Sequence, residues 1–490
     1  MSNAYVRCVF ASSVAVVLTL SGVTSASAND ANESLWAKTQ VPDIADSGNT
    51  MAKGGGYRLS VGVVPGFDVH REGSDNAYGR GEGFVSGAYR RVYEVPSTGY
   101  GIRIEGLRFG YGWRRDGTGS AKVDQLAAAL TLRGAEAEGR RYVAGDTFVG
   151  AWLGIHNMLS SSSFYSDEND TTRTDITVVP ASLAVGVGIG RILPANLPVA
   201  LTRVELALRS RGVLAAAIPP EIGARIMHAW VALKNELGYN QRAIVTLKIL
   251  HDANLLTAPV TPGIAYRVEQ ILTFLQYAEL IPRASGMQAS VAVRVGRVFG
   301  GVDVDGFDAL SLDDRENLVL EARATKVFNL SAVTSLVVEP SLGLAPRKQD
   351  RRLNTLPALT LVDRGAMRNT QRSGGAVVAL LPISYLHQVF DDYQNLRGSL
   401  DVHGSAFVAH APDEDLLLNV KVGGSYTYFL EAAKAYALGV DLLLGAQDGD
   451  FVQALYLTAS VMFGTGDAHY VAPTEIVDEV PFDMSFLPKP

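Results

Sequence analysis

The sequence is poor in cysteine. Its 490 residues include only Cys8, which falls in an N-terminal segment that we expect to be removed. A mature chain without cysteine forms no disulfide, has no thiolate chemistry and offers no cysteine ligand to zinc. Beyond the N-terminus there is no run of about 18 apolar residues, which excludes membrane-spanning helices. A net charge of −7 without a dense basic patch argues against a nucleic-acid partner.

The N-terminus has the pattern of an export signal. Arg7 gives a basic start, a short apolar stretch follows, and Ala26-Ser27-Ala28 supplies the small-x-small pattern that signal peptidases recognise. An apolar core this short, followed by a cleavage site, is typical of a cleavable signal and not of a membrane anchor. We therefore predict a signal peptide over residues 1–28 and a flexible segment over 29–55.

Most of the remaining chain alternates with a period of two. In residues 436–446, the odd positions include Gly439 and Asp441, whereas the even positions are apolar: Tyr436, Leu438, Val440, Leu442 and Leu444. Residues 287–299 and 416–430 alternate in the same way. Such segments are about twice as long as usual soluble strands, and about 9–11 tilted residues cross a bilayer. A large soluble β-sandwich would also alternate, but the strand lengths, the tyrosines near strand ends and the export signal favour a barrel.

The predicted fold is all-β: a transmembrane antiparallel barrel of about 14 strands with a small all-α periplasmic insert. The barrel is built in two parts, 56–190 and 285–464, and a change of face near Gly106 predicts a β-bulge. Connections on the extracellular side are expected to be long. We assign these long loops to 66–83, 157–173, 300–314 and 347–373.

The insert, residues 191–284, changes to a helical period of 3.6. Its sequence repeats with an offset of 42: Pro220-x-Ile222-x-x-Arg225 recurs as Pro262-x-Ile264-x-x-Arg267. Proline is tolerated at the first position of a helix, where its missing N–H is harmless. We predict two helix–turn–helix copies, which either hang in the periplasm or plug the barrel mouth.

The last strand, 451–463, alternates and is closed by Phe463. It resembles the signal recognised by the outer-membrane barrel assembly machinery, although here an acidic tail, 465–490, follows it. Over most of its length the chain resembles bacterial outer-membrane β-barrel proteins, with a porin-like architecture that indicates no specific family. The resemblance implies a Gram-negative outer membrane, contact with its lipids and insertion by that machinery.

Charged side chains on the inward face are the candidate pore lining. They could ring a constriction and select solutes by charge, or simply satisfy one another in a polar interior. The candidates are Arg294, Glu321, Arg323, Asp401, Asn419, Lys421 and Asp441.

No catalytic residue is predicted, and no metal or cofactor. His403 and Ser405 resemble the His-x-Ser pair of outer-membrane phospholipase A, but their strand parity turns them to the lumen, whereas a lipase must meet lipid. His228 and His251 lack the spacing of metal ligands.

Two functions follow from these expectations. The first is a channel or export pore for a solute or polymer, with a periplasmic helical domain. The second is a non-conducting assembly or scaffold protein whose helical insert docks a periplasmic partner.

Overall fold

The computed structural model describes residues 51–72, 74–116, 124–165, 171–232, 239–272, 283–304, 307–311, 315–345, 376–390, 396–410, 417–431, 434–447 and 450–471. The predicted signal peptide lies outside the described residues. Two predicted terminal segments overlap strands, because the first strand begins at Met51 and the last ends at Val471. Within the described residues, no helix is both long and apolar enough to cross a membrane.

The wall consists of β-strands, most of which are long. They are β1 Met51–Glu72, β2 Ser74–Glu94, β3 Thr98–Asp116, β4 Asp124–Ala144, β5 Thr147–Tyr165, β6 Thr171–Pro194, β7 Ala284–Val304, β8 Phe307–Ser311, β9 Arg315–Phe328, β10 Thr334–Val338, β11 Ser341–Ala345, β12 Ala376–Phe390, β13 Leu396–His410, β14 Leu417–Glu431, β15 Lys434–Gln447 and β16 Asp450–Val471.

The strands form a closed antiparallel barrel, because β1 pairs with β16 as well as with β2. β7 pairs directly with β9, so β8 is only a short extension at the end of β7. β10 and β11 both pair with β9 and β12 and form one wall strand, which is interrupted near Pro340. Proline has no N–H to donate to a ladder. The wall therefore has 14 strands, and the sequence-based fold class is confirmed.

The two faces of the wall differ as the alternation predicts. Large apolar side chains are exposed on the outside, among them Leu438 at 64%, Val187 at 58% and Val293 at 49%. Asp441 and Arg294 directly follow the exposed Val440 and Val293 and point to the opposite face, because successive side chains of a strand alternate. The inside of the barrel is therefore polar, while its outside is apolar.

The bulge predicted near Gly106 is confirmed: Glu105 and Gly106 together face Ala88, and the register shifts there. The predicted long loops differ more. Most of 66–83 continues β1 and β2, which pair up to Glu72 and Ser74. Residues 157–173 mainly extend β5 and β6, and 300–314 is mainly strand. Pairing in hairpins satisfies backbone groups that a loop would leave to water. The loop 347–373 lies outside the described residues.

Four helices follow β6: α1 Asn196–Ser210, α2 Pro220–Ala232, α3 Tyr239–Asp252 and α4 Pro262–Leu272. Their ends reflect the sequence repeat, since α1 and α3 end 42 residues apart and α2 and α4 begin 42 residues apart. Leu214 and Leu256, also equivalent residues, pair with each other in an antiparallel bridge. An antiparallel contact between equivalent residues is what a two-fold relation between the copies requires.

The helices pack into one end of the barrel, which also holds the turns 95–97, 145–146 and 329–333 and is called here the short-turn end. The buried core of the bundle continues into wall residues of β6, the β9–β10 turn, β13, β14 and β15: Leu193, Ala332, Val333, Leu396, Phe429 and Ala435. Phe429 and Ala435 share the inward parity of Asp441. The helical bundle therefore packs against the inner wall of the barrel at its short-turn end.

Candidate functional site in the barrel lumen

A charged cluster spans β12 to β15 on the inner wall. His403 lies between two carboxylates, with Nδ1 2.8 Å from Asp401 Oδ1 and Nε2 2.7 Å from Asp441 Oδ1. Lys421 Nζ is 3.2 Å from Asp441 Oδ2, and the Ser384 hydroxyl donates to Asp401 over 3.1 Å. Three predicted pore-lining residues, Asp401, Lys421 and Asp441, are therefore brought together around a histidine.

A glycine makes this cluster possible. His403 pairs with Gly423 on β14, and Gly423 pairs with Asp441 on β15. A Cβ at residue 423 would overlap the Asp441 carboxylate and lie 2.7 Å from His403 Nε2. Because both ring nitrogens of His403 are within hydrogen-bonding distance of carboxylates, neither is available to activate Ser405.

The second cluster lies on β6, β7 and β9. Arg294 Nε donates to Glu321 over 2.7 Å, and its Nη1 donates to the Ser182 hydroxyl over 2.8 Å. Arg323 donates to the other oxygen of Glu321. The remaining predicted residues are therefore placed here, apart from Asn419. The backbone of Asn419 pairs with Phe407 and Gly445, and its side chain lies outside the described part of the structure.

A third network ties the wall together near the short-turn end. Glu94, at the end of β2, is fully buried and contacts Arg140 and Arg191 at 3.2 and 3.4 Å. Arg191 also reaches Asp146 at 2.8 Å and donates to the backbone oxygens of Val95 and Pro96 at 2.9 and 2.7 Å. One guanidinium group thus holds two turns against β6, just before the chain enters the helical insert.

Arg203 of α1 joins the insert to the wall. It is buried and donates to the Ala332 carbonyl oxygen from Nη2 at 2.8 Å and from Nε at 3.2 Å. Its Nη2 also donates to Gln388 Oε1 on β12. The contact to Ala332 is polar and fully desolvated, so its loss leaves a buried acceptor without a donor.

A second guanidinium group meets the same glutamine. Arg283 donates to Gln388 over 3.4 Å and to Asn329 and Ser331 over 3.0 Å each. Burial lowers the pKa of Arg203, and the nearby charge of Arg283 lowers it further. Burial also lowers the pKa of Arg283, to about 9, so this side chain stays cationic at neutral pH. Like charges at the seam therefore oppose the hydrogen bonds that hold the insert.

Sequence reasoning did not single out Glu94, Arg140, Arg191, Arg203, Arg283 or Gln388. Each contacts residues far away in the chain; Arg203 and Ala332 are 129 residues apart. The sequence holds only a weak signal of these buried networks, namely glycines at alternate positions of β3, such as Gly99 and Gly101, which leave room for large side chains on neighbouring residues. A Cβ at residue 99 would overlap the Glu94 carboxylate, and one at 101 would lie 2.8 Å from Glu138.

Comparison with known proteins gives likenesses of structure alone. No family model matches the chain, and no curated protein matches it. The translocator domain of autotransporter NalP from Neisseria meningitidis is 7% identical, with a TM-score of 0.29 over 83% of this chain and 88% of that one. The Ralstonia pickettii toluene transporter TbuX is 8% identical, with a TM-score of 0.33 over 84% and 90%. The CymD monoaromatic hydrocarbon channel is 7% identical, with a TM-score of 0.32 over 84% and 89%.

Likenesses at this level carry no argument about the function of this protein. The architecture rests on the chain's own strands, which close into a 14-stranded barrel with an apolar outer wall and a polar inner wall. This is the architecture of outer-membrane β-barrels. No specific family is identified.

Proposed function

We propose that the protein is a gated channel of the bacterial outer membrane and that the helical insert is its plug. The predicted signal peptide would direct the chain to that membrane. The observation that carries the proposal is the position of the insert, whose core continues into inward-facing wall residues such as Phe429 and Ala435. A barrel of 14 strands is wide enough to enclose more than its own side chains. The short-turn end is then periplasmic, because short turns lie on that side in outer-membrane barrels.

The seam between plug and wall is suited to reversible docking. Arg203 holds the insert by hydrogen bonds, while the charge of Arg283 beside it works in the opposite direction. A ligand can shift a protein between two conformations more easily when their free energies are similar, and the opposing charge of Arg283 weakens the docking of the insert. What passes through the channel is a solute or an exported polymer small enough to move beside or past the displaced plug.

The insert can be removed cleanly, which makes the proposal testable. Its two ends are adjacent, since the Ala195 N–H donates to the Arg283 carbonyl over 2.8 Å. Replacing residues 196–282 by Asn-Gly therefore closes β6 and β7 with a two-residue hairpin turn. In planar bilayers, we expect small or intermittent conductance steps from the full chain and large, steady steps from the deletion variant. If neither protein conducts, the channel proposal is wrong; if both conduct equally, the insert is not a plug.

A scaffold role is the second candidate, and the exposed ends of two helices of the insert favour it. Residues Arg209, Arg211, His251 and Asp252, at or just after the ends of α1 and α3, are exposed, so a periplasmic protein could reach them. A photo-crosslinking residue placed at position 211 in the full chain tests this. A discrete crosslinked partner, with no conductance in bilayers, would favour the scaffold over the channel.

A further inference from the structure

A pair of tyrosines lies on the outer wall near the short-turn end. Tyr93 on β2 and Tyr100 on β3 are opposite each other, and their rings are stacked with centroids 4.9 Å apart. Arg91 is two residues from Tyr93 on the same strand. On β4, Arg141 is two residues from Gly139, which is opposite Tyr100. Both arginines are exposed, so two guanidinium groups flank the stacked tyrosines on the outside of the barrel.

The group lies between the apolar part of the outer wall and the short turns. Arg91 and Arg141 are each three residues from the end of their strand, which corresponds to about 10 Å of chain. Away from the turn, the register of Arg91 continues with the exposed Tyr89 and Val85. In outer-membrane barrels, girdles of aromatic residues mark both boundaries of the apolar band. The two arginines are therefore expected at the level of the lipid headgroups.

The charge on this part of the outer wall is positive. The residues opposite the two arginines on the neighbouring strands are uncharged: Gly55, Ile102, Thr98 and Val149. Among the strand side chains that the structure describes, no aspartate or glutamate has the outward register. Asp146, in the turn after β4, contacts Arg191 at 2.8 Å. An anion at this surface would therefore meet guanidinium groups and no described carboxylate of the strands.

The surface is open beside the tyrosine pair. A Cβ at Gly139 would have no atom within 4 Å, although this residue is opposite Tyr100 and close to Arg141 along β4. The wall is therefore low at this point, and a lipid headgroup can rest on it within reach of the Arg141 guanidinium group.

We infer that Arg91, Arg141 and the tyrosine pair between them bind the phosphate groups of anionic phospholipids; we call these four residues the rim site. A guanidinium group presents a planar fork of N–H donors that matches phosphate oxygens. A zwitterionic headgroup would bring an ammonium group close to two like charges, which favours a headgroup with net negative charge. The lipids belong to the periplasmic leaflet if the barrel has the proposed orientation, whereas the binding itself does not depend on conductance.

Native mass spectrometry of the full chain in detergent tests the inference. The folded barrel is mixed with equal amounts of phosphatidylglycerol, which is anionic, and phosphatidylcholine, which is zwitterionic, and the retained lipids are counted. We expect the parent protein to retain mainly phosphatidylglycerol. Arg91→Gln combined with Arg141→Gln should lower this preference about tenfold, because hydrogen bonds between charged groups and phosphate are lost.

Two further variants make the test specific. Arg209→Gln combined with Arg211→Gln removes the same charge from exposed residues of the insert and should retain phosphatidylglycerol as the parent protein does. Gly139→Val keeps every charge but fills the open surface, so it should weaken the retention of phosphatidylglycerol. Heat-dependent gel migration first checks that each variant folds.

The outcomes separate the rim site from the channel. Equal retention of the two lipids by the parent protein overturns the rim site. Unchanged retention in either the arginine variant or Gly139→Val overturns it as well, and so does an equal loss in the insert control. A barrel that conducts without any lipid preference supports the channel and overturns the site, whereas a barrel that prefers phosphatidylglycerol without conducting does the reverse.

Discussion

His403 and Asp441 form an ion pair across a strand to which neither belongs. His403 Nε2 and Asp441 Oδ1 are 2.7 Å apart, on either side of Gly423 in the middle strand. The pair reaches over the backbone only because residue 423 has no side chain. It links three consecutive wall strands from within the lumen.

Gly423→Ala should therefore destabilise the barrel. Its Cβ would overlap the Asp441 carboxylate and lie 2.8 Å from the Val440 carbonyl oxygen, so the ion pair must move. Overpacking of this kind costs about 1–3 kcal/mol. Denaturant midpoints of barrels refolded in detergent measure the effect.

Gly424→Ala is the matched control, because it adds the same methyl group on the adjacent, outward-facing residue. There the nearest atom, the Asp401 carbonyl oxygen, is 3.4 Å away. Equal losses at residues 423 and 424 would show that the His403–Asp441 contact does not constrain residue 423.

The assignment of the two faces can be tested on one strand. Leu457 is 43% exposed on the outer wall, and Thr458 faces inward opposite Gly439. Leu457→Arg places a charge towards lipid and should cost about 2–4 kcal/mol on folding into bilayers. Thr458→Arg places it over a glycine in the lumen and should cost much less. The reverse order would mean that the faces are exchanged, since a slip of one residue moves every side chain to the other face.

Arg203→Leu should loosen the plug. It removes the donors to the Ala332 carbonyl oxygen, which is then buried without a donor, at a cost of roughly 1–3 kcal/mol. Gln388 keeps its hydrogen bond to Arg283. Faster hydrogen exchange over residues 196–272 and longer open times in bilayers are the expected results. Arg209→Leu, at an exposed residue of the same helix, should change neither quantity. Unchanged exchange in Arg203→Leu would mean that apolar packing alone holds the insert.

Arg191→Lys should destabilise the short-turn end although it keeps the charge. A lysine ammonium cannot contact Asp146, Val95 and Pro96 together as the guanidinium does. We expect the free energy of unfolding to fall by about 1–3 kcal/mol, measured by unfolding in denaturant. Arg141→Lys, on the exposed outer face, is the control and should leave the free energy of unfolding unchanged. If Arg191→Lys also leaves it unchanged, the two turns do not depend on the guanidinium group of Arg191.

The sequence by itself determined the strands and helices whose apolar residues recur with a regular period. Opposite faces for Val293 and Arg294 follow from an alternation of two, because each wall residue meets either the outside or the lumen. The paired helices of the insert follow from Pro220 and Pro262, 42 residues apart, and the bulge near Gly106 from a change of face. These are local signals, readable without knowing any long-range contact.

Tertiary structure decided the features that depend on strand register and on closure of the barrel, namely the extent of the hairpins and the partners of the buried and lumenal side chains. The segments 66–83 and 157–173 are predicted as loops because extracellular connections of such barrels tend to be long. Pairing within each hairpin nevertheless makes most of them strand. That His403 meets Asp441 depends on the alignment of three strands, and that Arg203 meets Ala332 depends on the insert folding back into the mouth. No local pattern encodes such partners, since ring closure fixes the neighbours of each strand and the docked insert fixes the rest.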